Sequence, residues 1–366
     1  MTLPDEQFYK TCAHKLTSWF KKNSRDLPWR KTRDPYSVLV SELMLQQTQV
    51  ERVKSYYPGW MELFPNVRAL AVSNEEEVLS AWQGLGYYSR ARNLHKCAQT
   101  LLADGHETLP ADAAYLRKLP GIGPYTLGAV CSIAFDQPLP AVDGNVRRVF
   151  SRLLDMESDP TKKDGAALIE RTVENILRLG EPHILTQAFM ELGATVCTPL
   201  SSCQCNDCPV SMLCAALKNG TQSERPVTGR RETISRRLGA ALLIGDAQNG
   251  WIVRRRPESG LWSGFYEIPW IIGGENDDFS ACLQTLRAEL GITAPCEETG
   301  LEETLRFTRW QVRVRLWRTS DVLQLQKGTE IVSSDALQKL AMPAGLKRLV
   351  TKALTHRQYE MDHTFW

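Results

Sequence analysis

The sequence predicts two domains of different fold class, an all-α domain over residues 1–216 and an α+β domain over residues 236–366. At 366 residues the chain is too long for one ordinary hydrophobic core. Apolar residues recur every three or four positions as far as residue 195, which is the period of an amphipathic helix. Beyond residue 235 apolar and polar residues alternate instead, which is the period of a β-strand.

The all-α domain is predicted to contain eight to ten short helices between residues 6 and 195. Turn signals that contain proline separate these helices, as at Asp34-Pro35 and Glu181-Pro182. Ser73 and Glu76 have the spacing of a capping box, in which each side chain bonds the backbone of the other residue. This pair therefore predicts that a helix begins just after Ser73.

Residues 217–235 offer almost nothing to bury and are predicted to form the linker between the domains. The α+β domain then opens with a β-hairpin, whose first strand begins near Leu238 and whose turn is Asn249-Gly250. The remaining predicted elements are an alternating strand that includes Arg313, Arg315 and Arg318, and two helices at 279–290 and 343–354.

Composition and charge exclude several classes of protein. With 43% hydrophobic and 23% charged residues, the chain is globular rather than disordered. A net charge of +2 gives no support to nucleic-acid binding, so any basic face must be local. There is no signal-peptide pattern and no run of about 18 apolar residues, so we expect a soluble, cytoplasmic protein. The candidates for a local basic cleft are Arg90, Arg92, Arg147 and Arg148.

A glycine-rich turn lies between two predicted helices at Leu119-Pro-Gly-Ile-Gly-Pro-Tyr-Thr126. Gly121 and Gly123 leave the backbone nearly bare, so its N–H groups and the start of the next helix can approach a phosphate closely. A purely structural turn explains two spaced glycines equally well. With Leu-Pro ahead and Tyr-Thr behind, however, the segment resembles a helix–hairpin–helix DNA-binding element.

Two carboxylates are candidates for acid–base chemistry. Glu42 lies in the apolar run 36–45, where burial would raise its pKa towards that of a general acid working near neutral pH. Asp143 precedes Gly144 and a helical run. Taken singly, the glutamate often faces solvent and the aspartate is often only an N-cap. One protonated and one ionised carboxylate together suit cleavage of a glycosidic bond through an oxocarbenium-like transition state.

Five of the ten cysteines fall within residues 197–214. A reducing compartment disfavours disulfides, and five clustered cysteines are hard to explain as reduced core residues. Four thiolates in one tight loop can hold a [4Fe–4S] cluster. A structural zinc site more often uses two Cys-x-x-Cys pairs, and in this loop only Cys205 and Cys208 have that spacing.

Several motifs together resemble the adenine DNA glycosylases (MutY-like) of the endonuclease III superfamily. The resemblance implies an all-α helix–hairpin–helix glycosylase domain with an iron–sulfur loop, in a monomeric, nucleoid-associated enzyme of base excision repair. The implied substrate is double-stranded DNA in which adenine is mispaired with 8-oxoguanine or guanine. Besides the glycine-rich turn and the cysteine loop, the motifs are Leu27-Pro-Trp-Arg30, Ser41-Glu-Leu-Met-Leu-Gln-Gln-Thr48, Gly84-Leu-Gly-Tyr-Tyr-Ser-Arg-Ala-Arg-Asn-Leu94 and Val142-Asp-Gly-Asn-Val146.

The resemblance also implies roles for single residues. Glu42 would protonate nitrogen 7 of adenine, and Asp143 would stabilise the oxocarbenium ion or attack the anomeric carbon. The adenine must first leave the base stack, because its glycosidic bond is inaccessible in stacked DNA. The remaining implied roles are support of catalysis by Tyr125 and Asn145, contact with the flipped adenine by Arg30 and Gln187, wedging of the duplex by Gln47, Thr48 and Tyr87, and backbone binding by Gly121 and Gly123.

Tyr125 separates relatives within the superfamily. Endonuclease III has a lysine at this position, and that lysine forms a Schiff base with the sugar. Without an amine no imine forms by that route, so we expect base removal with little or no strand cleavage by β-elimination. Two alternatives stay open: a bifunctional lyase that acts on oxidised pyrimidines, and a non-enzymatic iron–sulfur protein that binds DNA and whose carboxylates are structural.

The cysteine spacing departs from the family pattern by one residue. The family has six, two and five residues between its four ligands, whereas Cys197, Cys205, Cys208 and Cys214 are separated by seven, two and five. Either the first loop has one extra residue, or Cys203 replaces Cys205 in the set. We favour Cys205, because it keeps the Cys-x-x-Cys spacing to Cys208.

The C-terminal domain resembles the family's Nudix-like domain, beginning at Arg254–Phe265. In the family a Phe-Ser-His hairpin reads 8-oxoguanine, and here the nearest match is Phe307-Thr308-Arg309. Thr308 can accept a hydrogen bond from the lesion and Arg309 can donate one, although an ordinary polar turn remains the alternative. Gln284, Thr285 and Ala288 stand where a Nudix box has charged residues, which leaves too few oxygen ligands for catalytic magnesium. We therefore interpret this domain as a lesion-recognition module.

Overall fold

The computed structural model describes residues 3–199, 203–227, 234–257, 262, 264–307, 309–320 and 328–362. The chain divides into two compact units, Met1–Arg231 and Glu232–Trp366. Unit 1 is helical and unit 2 combines a sheet with helices, as the sequence predicts. Among the described residues, no helix is long and apolar enough to cross a membrane.

Unit 1 contains eleven α-helices between residues 6 and 195, one more than the upper end of the predicted range. The shortest three have only four to seven residues, which is too few for an apolar period to be recognised. The helices are α1 (Glu6–Asn23), α2 (Pro35–Leu45), α3 (Val50–Leu63), α4 (Val67–Val72), α5 (Glu75–Ala81), α6 (Ser89–Ala103), α7 (Ala113–Leu116), α8 (Pro124–Phe135), α9 (Gly144–Leu153), α10 (Lys163–Leu177) and α11 (Pro182–Thr195), and α12 (Ala215–Asn219) follows the cysteine loop.

The capping box predicted at Ser73 and Glu76 lies one residue further along the chain. The Asn74 side chain accepts from the backbone of Glu77, and the Glu77 side chain bonds back to the backbone of Asn74. Ser73 instead ends α4, where its hydroxyl donates to the carbonyl of Leu70. Asparagine caps a helix as well as serine does, so local pattern alone did not separate the two positions.

Unit 1 has two hydrophobic cores, and each is formed by different stretches of the chain. The first core consists of buried residues between Leu27 and Ala141. The second core combines α1 with buried residues between Val146 and Val210. Met190 packs against both cores. Glu42 lies on α2, which packs in the first core, and Asp143 is the N-cap of α9, which packs in the second core. Each of the two candidate carboxylates is therefore held by a different core.

The start of the predicted linker belongs to unit 1. Helix α12 extends to Asn219, and Arg225 is only 8% exposed. The Arg225 guanidinium lies 2.8 Å from the Asp155 carboxylate, so a buried ion pair holds this segment. The linker predicted to begin at residue 217 therefore begins later in the chain, because an arginine in a polar segment can be buried when a carboxylate faces it.

Unit 2 is built on a sheet of seven strands in the described residues. The predicted hairpin is confirmed, since Asp246 pairs with Gly250 across its turn, and the predicted arginine-containing strand buries Val312, Val314 and Leu316. The predicted helix at 279–290 is confirmed, whereas the one predicted at 343–354 begins one residue later and continues further. The elements are β1 (Ser235–Asp246), β2 (Gly250–Arg255), β3 (Tyr266–Glu267), β4 (Trp270–Ile272), α13 (Phe279–Leu290), β5 (Glu297–Arg306), β6 (Trp310–Thr319), β7 (Thr329–Val332), α14 (Ser334–Lys339) and α15 (Ala344–Asp362).

Strand β1 is central to the sheet. It pairs in parallel with β6 over ten residues and antiparallel with β2 and β4. Strand β5 pairs antiparallel with β6 at the edge. Alternate residues of β1 face two separate apolar clusters, one with α13 and the other with α14 and α15, so the sheet is covered on both faces.

Candidate active site and cysteine cluster

A cavity of about 560 Å³ in unit 1 gathers most of the predicted site residues. It is lined by α2, by the first turns of α8 and α9, and by α11. The site residues predicted from sequence that line it are Arg30, Glu42, Gln47, Thr48, Tyr125, Asp143, Asn145 and Gln187. Tyr87, Gly121 and Gly123 are not among the lining residues.

Glu42 is a buried carboxylate, as predicted. Helix α2 begins with Asp34 as N-cap and Pro35 in its first turn, and Glu42 is only 5% exposed near its end. One oxygen of Glu42 accepts a hydrogen bond of 2.6 Å from the Tyr125 hydroxyl. Burial raises the pKa of Glu42 to about 7, although the Tyr125 hydroxyl and Arg30 act in the opposite direction. A carboxyl with this pKa is partly protonated at neutral pH and can act as an acid.

Asp143 is the N-cap of α9 and also faces the cavity, so the two interpretations of this residue are compatible. Its carboxylate accepts from the Val146 backbone at 2.7 Å and from the Asn145 amide at 3.0 Å. Burial raises the pKa of Asp143, while these two donors and Arg148 lower it. The amino end of a helix and two donors favour the ionised form of a carboxylate.

Tyr125 lies in the first turn of α8 and donates to Glu42. Burial, followed by the nearby charges of Glu42 and Asp143, raises the pKa of Tyr125 well above its ordinary value. The hydroxyl therefore stays protonated and serves as a hydrogen-bond donor. Asn145 lies on the other side, where its amide nitrogen donates to Asp143 and its amide oxygen accepts from Arg148 at 2.9 Å.

Glu191 is a site residue that the sequence analysis did not identify. It is fully buried on α11, where its oxygens accept from Arg25 at 2.8 Å and from Arg30 at 2.8 Å. Burial alone would raise the pKa of Glu191, but the hydrogen bonds from Arg25 and Arg30 outweigh it and hold the pKa at about 2. Glu191 follows Phe189-Met190 and precedes Leu192, which is the same kind of apolar setting that identified Glu42.

Arg30 and Gln187 line the cavity with part of their donors already used. The Arg30 guanidinium donates to Glu191 and to the carbonyl of Arg25 at 3.2 Å. The Gln187 amide nitrogen donates to the carbonyl of His183 at 2.8 Å. Their predicted contact with adenine is untested and stays a prediction.

The residues predicted to contact DNA lie on three turns of unit 1. Gln47 and Tyr87 both have left-handed backbones, with φ of 57° and 48°, and Tyr87 is 56% exposed. Gly121 has φ of 81°, and a side chain there would approach Asn93. The turn between α7 and α8 therefore requires glycine at residue 121.

Three of the four arginines named as candidates for a local basic cleft are engaged within the protein. Arg90 is buried among backbone carbonyls, and Arg92 pairs with Glu75 at 2.8 Å. Arg148 donates to the carbonyls of Cys197 and Gly193. Three of the four side chains thus hold the protein together and are not free for a phosphate.

In unit 2 the turn predicted to recognise the lesion joins β5 to β6. The Phe307 backbone donates to the Trp310 carbonyl at 2.8 Å, and the Ser235 backbone donates to the Arg309 carbonyl at 3.0 Å. Thr308 lies outside the described residues. Helix α13 carries a single carboxylate, Glu289.

All five cysteines of the loop line one apolar cavity of unit 1. The Cys203 and Cys205 sulfurs are 3.6 Å apart, and Arg152 donates to the Cys197 sulfur at 3.3 Å. Within the described residues, no three Cys, His, Asp or Glu side chains are close enough together to hold one metal ion. Clustered thiolates around an apolar cavity are the donor set that an iron–sulfur cluster takes, so the residues present fit such a group.

Comparisons with known proteins agree with this architecture. The family model described as HhH-GPD superfamily base excision DNA repair protein matches residues 40–175, and the NUDIX domain model matches residues 240–352. An adenine DNA glycosylase of Schizosaccharomyces pombe is 33% identical over 320 residues, which cover 71% of this chain and 69% of the relative. The chain belongs to the adenine DNA glycosylase family.

Other members of the adenine DNA glycosylase family are longer than the part this chain matches. A relative from Arabidopsis thaliana is 31% identical over 404 residues, covering 93% of this chain and 64% of the relative. The chain spans 40–41% of the length of the rat, human and mouse relatives. A solved complex of trapped endonuclease III with DNA is 26% identical, has a TM-score of 0.50 and covers 60% of this chain. The predicted helix–hairpin–helix and Nudix-like fold is thus confirmed.

Proposed function

We propose that the protein is a monofunctional adenine DNA glycosylase that hydrolyses the N-glycosidic bond of adenine mispaired with 8-oxoguanine or guanine in duplex DNA. The observation that carries the proposal is the convergence of Glu42 and Asp143 on one cavity, with Tyr125 between the glycine turn and Glu42. Family membership supports the same activity. The structures of DNA complexes related to unit 1 support duplex DNA as the partner.

The proposed reaction needs one acid and one anion. Neutral Glu42 donates its proton to nitrogen 7 of the extruded adenine, and the bond between nitrogen 9 and carbon 1′ then breaks with its electron pair leaving on the base. Ionised Asp143 stabilises the positive sugar directly or by attacking carbon 1′. Water then adds at carbon 1′ and gives a proton back to the Glu42 carboxylate; where Asp143 has bonded to carbon 1′, that bond breaks and its electron pair returns to the Asp143 carboxylate. The products are free adenine and an abasic site.

Other residues of the cavity position the reacting groups. Tyr125 donates to Glu42 and keeps that carboxyl oriented, and Asn145 does the same for Asp143. Arg30 is fixed by Glu191, which leaves its remaining N–H groups in a defined direction for a ring nitrogen of adenine. Gln187 offers an amide to the same base.

A single-turnover assay tests the proposed substrate. Duplexes with adenine opposite 8-oxoguanine, guanine and thymine are compared, and we expect release to be fastest opposite 8-oxoguanine and slowest opposite thymine. Borohydride is added in parallel, because a Schiff base would trap the protein on DNA. Equal rates on all three duplexes would contradict the substrate, and trapping in high yield would favour the lyase alternative.

The Glu42→Gln variant separates an enzyme from a binding protein. Glutamine keeps the shape and removes the proton donor, so turnover is expected to fall by about 10²–10⁴-fold while DNA affinity is retained. Unchanged base release would assign the carboxylates a structural role.

We infer that Cys197, Cys205, Cys208 and Cys214 hold a [4Fe–4S] cluster, with Cys203 as the alternative to Cys205. Bound there, the cluster would link four positions of the loop 197–214 through its thiolates, a structural contribution to unit 1. Arg148 and Arg152 lie beside Cys197 and offset the negative charge of the ligands. Iron content of the Cys203→Ser and Cys205→Ser variants identifies the second ligand.

For the C-terminal domain we propose recognition of the lesion through the turn 307–309. Thr308 would accept from the donor at nitrogen 7 of 8-oxoguanine, and Arg309 would donate to a carbonyl or phosphate. The test is the rate ratio between 8-oxoguanine and guanine substrates in the double variant Thr308→Ala, Arg309→Ala. An unchanged ratio would remove these residues from the recognition site.

A further inference from the structure

Arg90 occupies an unusual position in unit 1. It is 6% exposed in the first turn of α6, and no carboxylate of the described residues pairs with it. Its guanidinium instead donates to seven oxygen atoms on two separate segments of the chain. Buried arginines are normally paired with acidic groups, so this arrangement calls for a specific reason.

The first segment is the end of α2 and the residues after it. Arg90 donates to the carbonyls of Leu43 at 2.7 Å, Met44 at 2.9 Å and Gln46, and to the Thr48 hydroxyl at 3.1 Å. The last carbonyls of a helix have no partner within it and carry the negative end of the helix dipole. The arginine thus supplies the cap of the helix that carries Glu42.

The second segment precedes α6. Here Arg90 donates to the carbonyls of Leu85 at 3.1 Å, Gly86 at 2.8 Å and Tyr87 at 3.3 Å. The rings of Trp82 and Tyr87 lie 5.3 and 5.6 Å from the centre of the guanidinium and enclose it. One planar group with five N–H donors therefore ties both segments together, which a lysine ammonium with three donors could not do.

Each of the two segments carries a residue with a left-handed backbone. Gln47 and Tyr87 are non-glycine residues with φ of 57° and 48°. Such backbones are unfavourable for residues that carry a Cβ and persist only where the surrounding contacts fix them. Both strained residues adjoin carbonyls that Arg90 binds, those of Gln46 and of Tyr87 itself.

We propose that Arg90 is a positioning residue that makes the two wedge segments, 46–48 and 85–87, one rigid unit for extruding adenine from the duplex. The inference rests on the proposed function. Extruding a base from the duplex costs free energy, because its stacking and pairing are lost. A rigid wedge transfers its binding energy to the DNA, whereas a loose one yields and leaves the adenine stacked.

The experiment measures extrusion separately from chemistry and stability. Wild-type and Arg90→Lys proteins, each also carrying Glu42→Gln to block cleavage, are bound to a duplex with 2-aminopurine in place of the target adenine opposite 8-oxoguanine. We expect the fluorescence increase per bound complex to fall about tenfold in Arg90→Lys, with the rate of adenine release reduced by up to about 10²-fold in the cleaving background. Arg225→Lys, a change of another buried arginine outside the site, is the matched control and should leave both readings unchanged.

A second measurement removes the effect of misfolded protein. The rate on the paired duplex is divided by the rate on a duplex in which the adenine lies in an unpaired bubble, and this ratio does not depend on the active fraction. We expect the ratio to fall in Arg90→Lys, because an unpaired adenine needs less wedging. If Arg90→Lys does not fold, Thr48→Val removes one of the seven contacts and is expected to lower the ratio to a smaller extent.

The outcomes distinguish this inference from the proposed function. A wild-type protein that releases no adenine would contradict the proposed function. A wild-type protein that releases adenine, together with an Arg90→Lys variant of unchanged fluorescence and unchanged ratio, would overturn the role of Arg90 alone.

Discussion

Glu42, Asp143 and Glu191 line the same cavity, yet their surroundings give them different protonation behaviour. Glu42 has one neutral donor, Tyr125, and burial raises its pKa to about 7. Glu191 faces two guanidinium groups, and its pKa is about 2. Burial raises the pKa of Asp143, while its two hydrogen-bond donors and the helix amino end favour the ionised form. One cavity thus holds carboxyl groups of opposite protonation behaviour, which acid-assisted cleavage of a glycosidic bond requires.

The protonation of Glu42 predicts how the rate depends on pH. Because the acid must be neutral, the single-turnover rate should fall roughly tenfold per pH unit as the pH rises above about 7. The residual activity of Glu42→Gln should lack this decline. A wild-type rate that stays level up to pH 9 would show that Glu42 is not the acid.

The same pKa predicts an effect on stability. The folded protein holds the Glu42 proton more tightly than the unfolded chain, so the stabilising contribution is complete below pH 4.5 and is lost as the pH rises to about 7. Above that pH the buried charge costs about 3 kcal/mol. Glu42→Gln should therefore gain stability relative to wild type between pH 5 and 8 in denaturant unfolding. A difference that does not change with pH would contradict this account.

At the scale of secondary structure, close packing of α8 determines where Asp143 lies. A Cβ added to Gly128 would fall on the carbonyl oxygen of Pro140, so the backbone three residues before Asp143 rests directly on the helix. Tyr125 lies one turn earlier on the same helix. Helix α8 therefore positions Tyr125, which donates to Glu42, relative to Asp143.

Gly128→Ala tests this packing. Alanine forces the segment of Pro140 away from α8, which is expected to cost about 1–3 kcal/mol and to lower the rate of adenine release by moving Asp143. Gly59→Ala is the control, since a Cβ at Gly59 meets nothing within 4 Å. Its stability should be unchanged or slightly raised, because alanine favours a helix. The stability of both variants is measured by thermal unfolding, and their rates of adenine release are measured in single-turnover assays.

The elements that could be predicted from sequence are those set by local pattern. The Asn249-Gly250 hairpin, the helix at 279–290 and the burial of Glu42 follow from residues within a few positions of each. The apolar neighbours of Glu191 predict its burial as they do for Glu42, but its ion pair with Arg30 could not be predicted in this way, because the two residues are 161 positions apart in the chain. The contacts of Arg90 could not be predicted either, because its partners lie up to 47 positions away.

At the scale of the whole molecule, units 1 and 2 have separate hydrophobic cores. We therefore expect two transitions in calorimetry. Removal of iron by a chelator should lower only the transition of unit 1, because the cysteine loop packs on the second core of that unit. Iron content and the visible absorbance of the cluster are measured on the same samples. A shift of the unit 2 transition, or of neither transition, would contradict this expectation.

The two cores of unit 1 also imply an order in which the chain assembles. The first core is continuous between Leu27 and Ala141, so it can condense from neighbouring segments. The second core must wait for α1 to meet residues that follow it by more than a hundred positions, and closing such a loop is slow. The cavity proposed as the active site takes Glu42 from the first core and Asp143 from the second. A nascent chain would therefore acquire its helices early and this cavity last, only after the second core has been synthesised as far as Val210.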